Sequence, residues 1–229
     1  MIENSGGDGP VILLFNGGFG TQGFAKQMLM TFAPHFNTTV AAFKYRQSSF
    51  GGGELIDALN AFEYFNQQNR DVIFIGHSHG AYLAMLAGTK VNCTASIGLS
   101  GPYDLLEMEE FSLTHLYLPL IFSPLIKLTA NECSGIPSQT PLCYKQKSPA
   151  YQTDKLNCPV MLLHGNLDNL VPVSQSIAMA DALNNSGKIH ELILVNTSHF
   201  GIRTDEYAWG HICSFTSQYG GLPCAELLK

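Results

Sequence analysis

Six short runs that are apolar at nearly every position, separated by longer stretches of helical period, constrain this chain more than any other feature. The runs are "PVILLF" (10–15), "TTVAAFKY" (38–45), "DVIFIG" (71–76), "TASIGLS" (94–100), "PVMLLHG" (159–165) and "IHELILVN" (189–196). A strand that is apolar throughout is buried on both faces, which is the mark of a parallel sheet covered by helices. The intervening segments supply those helices. "GTQGFAKQMLMTFAPHF" gains helical character after Gly23, and "GELIDALNAFEYFNQQN" (53–69) sets Leu55, Leu59, Phe62 and Phe65 on one stripe. "SHGAYLAMLAGTK" reads as a helix of small residues, "VSQSIAMADALNN" (173–185) as another, and a last helix begins near Asp205. The prediction is an α/β fold of about six mostly parallel strands with helices on both faces. No repeat or linker divides residues 1–229, which read as a single domain. The alternation breaks only over 101–157, a stretch rich in Leu, Phe, Tyr and Pro. It reads as a cap insertion over the carboxyl edge of the sheet.

Composition narrows the function classes. Hydrophobic residues make up 45% of the chain and charged residues 13%, a balance that buries a core rather than leaving a disordered chain. The net charge is -6, with 12 Lys plus Arg and no basic run, so neither nucleic acid nor an anionic membrane is an expected partner. The apolar region 111–130 carries His115, Pro119, Pro124 and Lys127, and no transmembrane segment is expected there. The opening "MIENSGGDGP" is polar and lacks the pattern of a signal peptide. None of the six cysteines forms a Cys-x-x-Cys pair, which argues against zinc and thioredoxin-type chemistry. An even cysteine count, with Asn-x-Ser/Thr sequons beginning at Asn37, Asn92, Asn184 and Asn196, favours a secreted or otherwise extracytoplasmic, oxidised glycoprotein. A cytoplasmic protein is the alternative.

The stretch "FIGHSHGAYLA" (74–84) carries the chemistry. Ser78 stands where a buried strand turns into a helix, and Gly76 and Gly80 leave room for a tight turn, the setting of a nucleophile elbow. A serine hydroxyl needs a base. His77 and His79 flank it too closely, and His190 lies at the wrong end of its strand. His35, His115 and His211 lie off the strand tips, and His164 is in or at the end of its strand. His199, just past the last strand in "LILVNTSHF", is the candidate. Asp168, in "LLHGNLDNLVP" after the penultimate strand, would orient it. Asp104, Asp154, Asp181 and Asp205 are the other acids considered, and only Asp104 also follows a strand tip. The order Ser78, Asp168, His199 places three suitable side chains at strand carboxyl ends. Oxyanion donors are expected from Gly17 and Gly18 in "LFNGGFG" and from the N–H of His79. A metal between His77 and His79 lacks further ligands at suitable spacing, so no metal and no cofactor is expected.

These residues resemble the α/β-hydrolase superfamily, most closely the small carboxylesterases related to hormone-sensitive lipase, arylformamidase and the feruloyl or acetylxylan esterases. The similar stretches are "VILLFNGGFG", "AAFKYRQ" at Tyr45 and Arg46, "GHSHGAYLA", "SGPYDL" (100–105), "SPAY" (148–151) and the His-Gly-x-x-Asp-x-x-Val-Pro stretch ending at Pro172. Prolyl-oligopeptidase catalytic domains share several of them, although no propeller domain is present in this chain. Two departures stand out. Phe15 or Asn16 occupies the place of the family's loop histidine, and the family's two leading strands have no counterpart in the ten or so residues before Val11. The family's sheet order would make the strand before Ser100 a neighbour of the strand before His164. The resemblance thereby implies a Cys93–Cys158 disulfide; beside it, Cys133–Cys143 would close a local loop in the cap and Cys213–Cys224 would staple the tail.

The expected activity is therefore that of a serine carboxylesterase acting through an acyl-enzyme on a small-molecule ester. Phe111, Leu116, Tyr117, Leu118 and Phe122 of the cap would face an apolar or aromatic group. The rival readings are an amide hydrolase, such as a formamidase or small peptidase, and a non-catalytic binding protein on the same scaffold.

Overall fold

Neighbouring parallel strands need a crossover between them, and helices form all five crossovers that join the six parallel strands of this chain. The computed structural model describes residues 2–4, 7, 9–18, 20–46, 48–114 and 118–225, with 2–4, 113–114 and 118–124 described by backbone alone. Its sheet holds β1 (Ile2–Asn4), β2 (Val11–Phe15), β3 (Val40–Ala42), β4 (Val72–His77), β5 (Ala95–Leu99), β6 (Val160–Gly165) and β7 (His190–Val195). The order across the sheet is β1-β3-β2-β4-β5-β6-β7. β2 to β7 run parallel, as the six runs predict. β1 adds a seventh strand, antiparallel to β3, so the segment before Val11 does contribute to the sheet.

Within the buried strands, alternate residues serve opposite layers, as the two-residue strand period requires. Leu13, Phe15 and Phe74 face α2 (Gly53–Asn66) and α3 (His79–Gly88). Ile12, Leu14, Ile73 and Ile75 face α1 (Gln22–Phe32) and α8 (Glu206–Gly220). Val160 and Leu162 pack with Met179 and Leu183 of α7 (Ser174–Asn185). Every residue of α3 is buried, so the helix that follows Ser78 lies in the middle of the molecule. Asp205 caps α8 by accepting from the Ala208 N–H, and Gly221 closes it in the left-handed conformation.

Three details depart from the sequence reading. β3 is only Val40–Ala42, because the chain leaves the sheet at Phe43 and Tyr45 bonds instead to the Gly20 carbonyl. The buried face of α2 is Glu54, Ala58, Ala61, Phe62 and Phe65, while Leu55 and Leu59 stay half-buried at its margin. The insertion 101–157 is itself helical, with α4 (Leu105–Thr114), α5 (Leu118–Cys133) and α6 (Pro141–Lys147). Among the described residues no helix is long and apolar enough to cross a membrane.

The three disulfides are Cys93–Cys158, Cys133–Cys143 and Cys213–Cys224, the pairs implied by the resemblance. Cys93 and Cys158 each stand two residues before one of the adjacent strands β5 and β6.

Candidate active site

Ser78 caps α3 with φ 57° and ψ −126°, a left-handed backbone that a side chain adopts only when its surroundings hold it there. The hold is visible. The Ser78 N–H donates to the Leu99 carbonyl at 2.8 Å, tying the turn to β5. A Cβ on Gly76 would lie 2.4 Å from the Gly80 carbonyl oxygen, and one on Gly80 would lie 1.9 Å from the Phe15 oxygen. Neither position has room for a side chain. His79 is the first residue of α3, so its N–H has no carbonyl within the helix to bond.

The glycine loop after β2 packs directly on this turn. A Cβ on Gly17 would stand 3.1 Å from the Ser78 Cβ, and Gly18 adopts φ 68° against the Phe24 ring. Tyr45 donates its hydroxyl to the Asn16 carbonyl at 2.7 Å and so fixes the loop from behind.

His199 follows β7 and is buried. Its Nδ1 donates to Asp168 Oδ2 at 2.6 Å, which leaves Nε2 as the free acceptor. The side chain of Asp168 is fully buried, and its Oδ1 accepts the Leu170 and Val171 N–H groups, each at 2.9 Å. Burial alone would raise its pKa. Hydrogen bonds from His164 and His199, with the Val171 N–H, outweigh burial and hold the carboxyl well below the usual range. His164 lies inside β6, bonded to Ser176 Oγ and the Val171 carbonyl. Among the other acids weighed, Asp104 caps α4 and accepts from the Tyr151 hydroxyl.

One cavity of about 210 Å³ brings these groups together. Ser78, His199, Gly17, Gly18 and His79 all line it, with Asp168 behind His199. The hydroxyl of Ser78 and the imidazole of His199 share this space without a hydrogen bond between them, a geometry common in hydrolases before substrate binds. Phe24, Met28, Leu125, Leu170 and Phe200 form the apolar wall. The cap reaches the cavity through Leu125. Phe111 is outside this lining, Leu116 and Tyr117 lie outside the described residues, and so do the side chains of Leu118 and Phe122.

The two histidines beside Ser78 do different work. His77 donates Nε2–H to the His199 carbonyl at 2.8 Å and so positions the main chain of the candidate base. Burial, then the neighbouring His199 and Arg203, lower its pKa from 6.5 to about 3. His77 is therefore neutral in the fold, whereas the unfolded chain takes up a proton below 6.5. Stability is fully present above pH 6.5 and is lost as pH falls towards 3, before the Asp168 contribution goes below its ordinary 3.8. Thermal melts across this range should show a steep loss in the wild type and a shallower one in His77→Asn.

His79 turns the other way. Its Nε2 donates to Glu54 Oε2 at 2.7 Å, with side-chain exposures of 4% and 1%. Tyr45, Phe50 and Tyr82 surround the imidazole, with ring centroids 6.0, 5.1 and 5.5 Å away. Glu54 Oε1 also accepts the Gly51 N–H. Sequence reasoning missed Glu54, although a signal was present. The buried face of α2 falls at 54, 58, 61, 62 and 65, and an acid on such a face requires a partner.

A family model described as the prolyl oligopeptidase family matches residues 45–219, a span that holds Ser78, Asp168 and His199. The chain belongs to the prolyl oligopeptidase family. That is a serine hydrolase family within the superfamily the sequence resembles. The match begins after the glycine loop, so Gly17 and Gly18 lie outside it. A curated relative, the uncharacterized peptidase YtmA of Bacillus subtilis, is 25% identical over 166 residues, covering 70% of this chain and 60% of its own. Among solved structures, the acylaminoacyl peptidase of Pyrococcus horikoshii superposes with a TM-score of 0.74 at 18% identity, covering 96% of this chain and 39% of that one. A puromycin-hydrolyzing peptidase of Mycobacterium tuberculosis gives 0.73 at 20% identity, covering 95% and 35%. A truncated carbohydrate esterase from gut microbiota gives 0.71 at 18% identity, covering 93% and 86%. At these identities the superpositions establish the shared fold. This family member thus spans well under half of the two peptidases and most of the truncated esterase.

Proposed function

We propose that this chain is a serine hydrolase that cleaves carboxylic esters with Ser78 as nucleophile, His199 as base and Asp168 as its orienting carboxylate. The observation that carries the reading is the His199–Asp168 hydrogen bond of 2.6 Å beside a serine held at φ 57° in the same cavity. Ser78 Oγ attacks the ester carbonyl as His199 Nε2 takes its proton. The N–H groups of His79, Gly17 and Gly18 receive the oxyanion, a contribution worth roughly 10²–10³ in rate per donor. The carbon–oxygen ester bond breaks, and His199 returns the proton to the leaving alcohol. Water, deprotonated by the same imidazole, then releases the acid and restores Ser78. The apolar wall of Phe24, Met28, Leu125 and Leu170 suits an acyl chain or ring on a small ester.

A second reading, amide or peptide hydrolysis, is favoured by the peptidase relatives. The same residues serve it, with an amine as leaving group. A p-nitrophenyl ester and a p-nitroanilide of the same acyl group separate the two. The ester should be turned over far faster, and a faster anilide would transfer the assignment to peptidases. Labelling by a fluorophosphonate probe should occur in the wild type and vanish in Ser78→Ala. An unlabelled wild type would make the chain a binding protein on a hydrolase scaffold. The three disulfides and the exposure of Asn37, Asn92, Asn184 and Asn196 support placement in an oxidising, extracytoplasmic compartment where those sequons carry glycans.

A further inference from the structure

Resting on the hydrolase reading above, we propose that Arg203 sets the substrate class by receiving a carboxylate borne on the acyl or leaving group of the substrate.

The chain has three arginines, and two are fully engaged. Arg46 forms a forked pair with Asp57, with nitrogen–oxygen distances of 2.8 to 3.1 Å. Arg70 donates to the carbonyls of Gly7 and Gly9 and to Thr39 Oγ1. Arg203 is different. It is half-buried, lines the Ser78 cavity, and has no carboxylate within ion-pair distance among the described residues. Its side chain makes one long hydrogen bond among the described residues, Nε to the Phe200 carbonyl at 3.4 Å, within its own turn.

Arg203 is nevertheless held in place. Trp209 Nε1 donates to its carbonyl at 2.9 Å, and its guanidinium lies 5.4 Å from the Phe200 ring centroid. The other side of that contact is the active site, since the same ring stands edge-on to His199 at 5.1 Å. Arg203 also rides on the short turn Gly201–Arg203 that directly follows the His199 segment. A guanidinium stays charged whatever its surroundings, and its planar fork matches a carboxylate with two parallel hydrogen bonds. It is the only charged residue among the described lining of the cavity, where the remaining walls are apolar side chains, glycine backbone, neutral amides, the neutral His77 and the candidate catalytic groups. Two carboxylates close to it are already committed: Asp205, two residues on, to the cap of α8, and Asp168, behind the cavity, to His199. The geometry fits an ester, or in the second reading an amide, with an apolar body and a carboxylate a few atoms from the scissile carbonyl.

The test compares p-nitrophenyl half-esters of succinate, glutarate and adipate with p-nitrophenyl butyrate, valerate and hexanoate, which match them in chain length. In the wild type the best half-ester should exceed its neutral counterpart in kcat/KM by about tenfold or more, mainly through KM, as expected for a charged hydrogen bond. In Arg203→Met that ratio should fall to about one or below, and Arg203→Lys should restore part of it. A wild type that prefers the neutral esters, or a ratio equal in wild type and Arg203→Met, overturns the assignment. If no ester of either kind is cleaved, the ester reading fails, and binding alone decides the role of Arg203. In that case 4-phenylbutyrate at millimolar concentration should raise the Tm of the wild type and not of Arg203→Met. Equal shifts, or none in the wild type, would then overturn it.

Discussion

Asp168→Asn should lower kcat by about 10⁴-fold while the protein stays folded, because the substitution selects the wrong tautomer of His199. The reason lies in how the carboxylate is already used. Asp168 Oδ1 accepts two backbone N–H groups, from Leu170 and Val171, and Oδ2 accepts from His199 Nδ1. An asparagine has one oxygen, and the two N–H donors will claim it. Its NH₂ then faces His199 Nδ1, which must become the acceptor. The imidazole proton moves to Nε2, the nitrogen that in the proposed mechanism takes the proton of Ser78. Steady-state kinetics on a p-nitrophenyl ester, with circular dichroism as the check on folding, measures the effect. A variant within tenfold of the wild type would remove Asp168 from the mechanism and leave its hydrogen bond to His199 a matter of structure.

Glu54→Ala should be the most destabilising single change in the molecule outside the large core side chains. Glu54 and His79 are both buried, and their mutual hydrogen bond of 2.7 Å satisfies a donor that water cannot reach. Removing one partner of such a pair typically costs about 3–5 kcal/mol, because the other is left buried and unanswered. For a domain of this size that corresponds to a fall in Tm of roughly 6–20 °C. Glu54→Gln keeps an acceptor for His79 and should lose much less. Calorimetry on the two variants separates the pair from simple loss of volume. If alanine and glutamine at 54 melt together near the wild type, the pair does not hold the turn. The consequence reaches catalysis because His79 supplies the N–H proposed for the oxyanion. Loosening its ring disturbs a donor that must stay fixed to within a fraction of an ångström.

The fold was legible because its signals are local. The six parallel strands could be read from short runs dominated by apolar residues, and the elbow from glycines two residues either side of Ser78. The order Ser78, Asp168, His199 follows from strand ends, and the structure brings all three to one place. The disulfides came from the sheet order implied by the resemblance, since spacing alone leaves cysteine pairing open. Where the reading erred, a local signal was weak or outvoted. β1 is three residues long and exists by pairing with β3, so nothing in its own composition marks it. The α2 stripe was drawn through Leu55 and Leu59 because they are the larger apolar side chains. The fold instead turned the face carrying Glu54 and Ala58 inward, where His79 waits.

The chain alone determined the layered sheet and where along it the proposed nucleophile, base and carboxylate stand, because hydrophobic periodicity and glycine placement act over a few neighbouring residues. Only the folded structure decided what surrounds them: Glu54 against His79 from 25 residues away, His77 on the backbone of His199 from 122 residues away, and Arg203 without a counter-ion among the described residues at the cavity. Such contacts depend on which faces meet when helices dock on the sheet. That choice is made by the free energy of packing the whole molecule, and no short stretch of sequence records it.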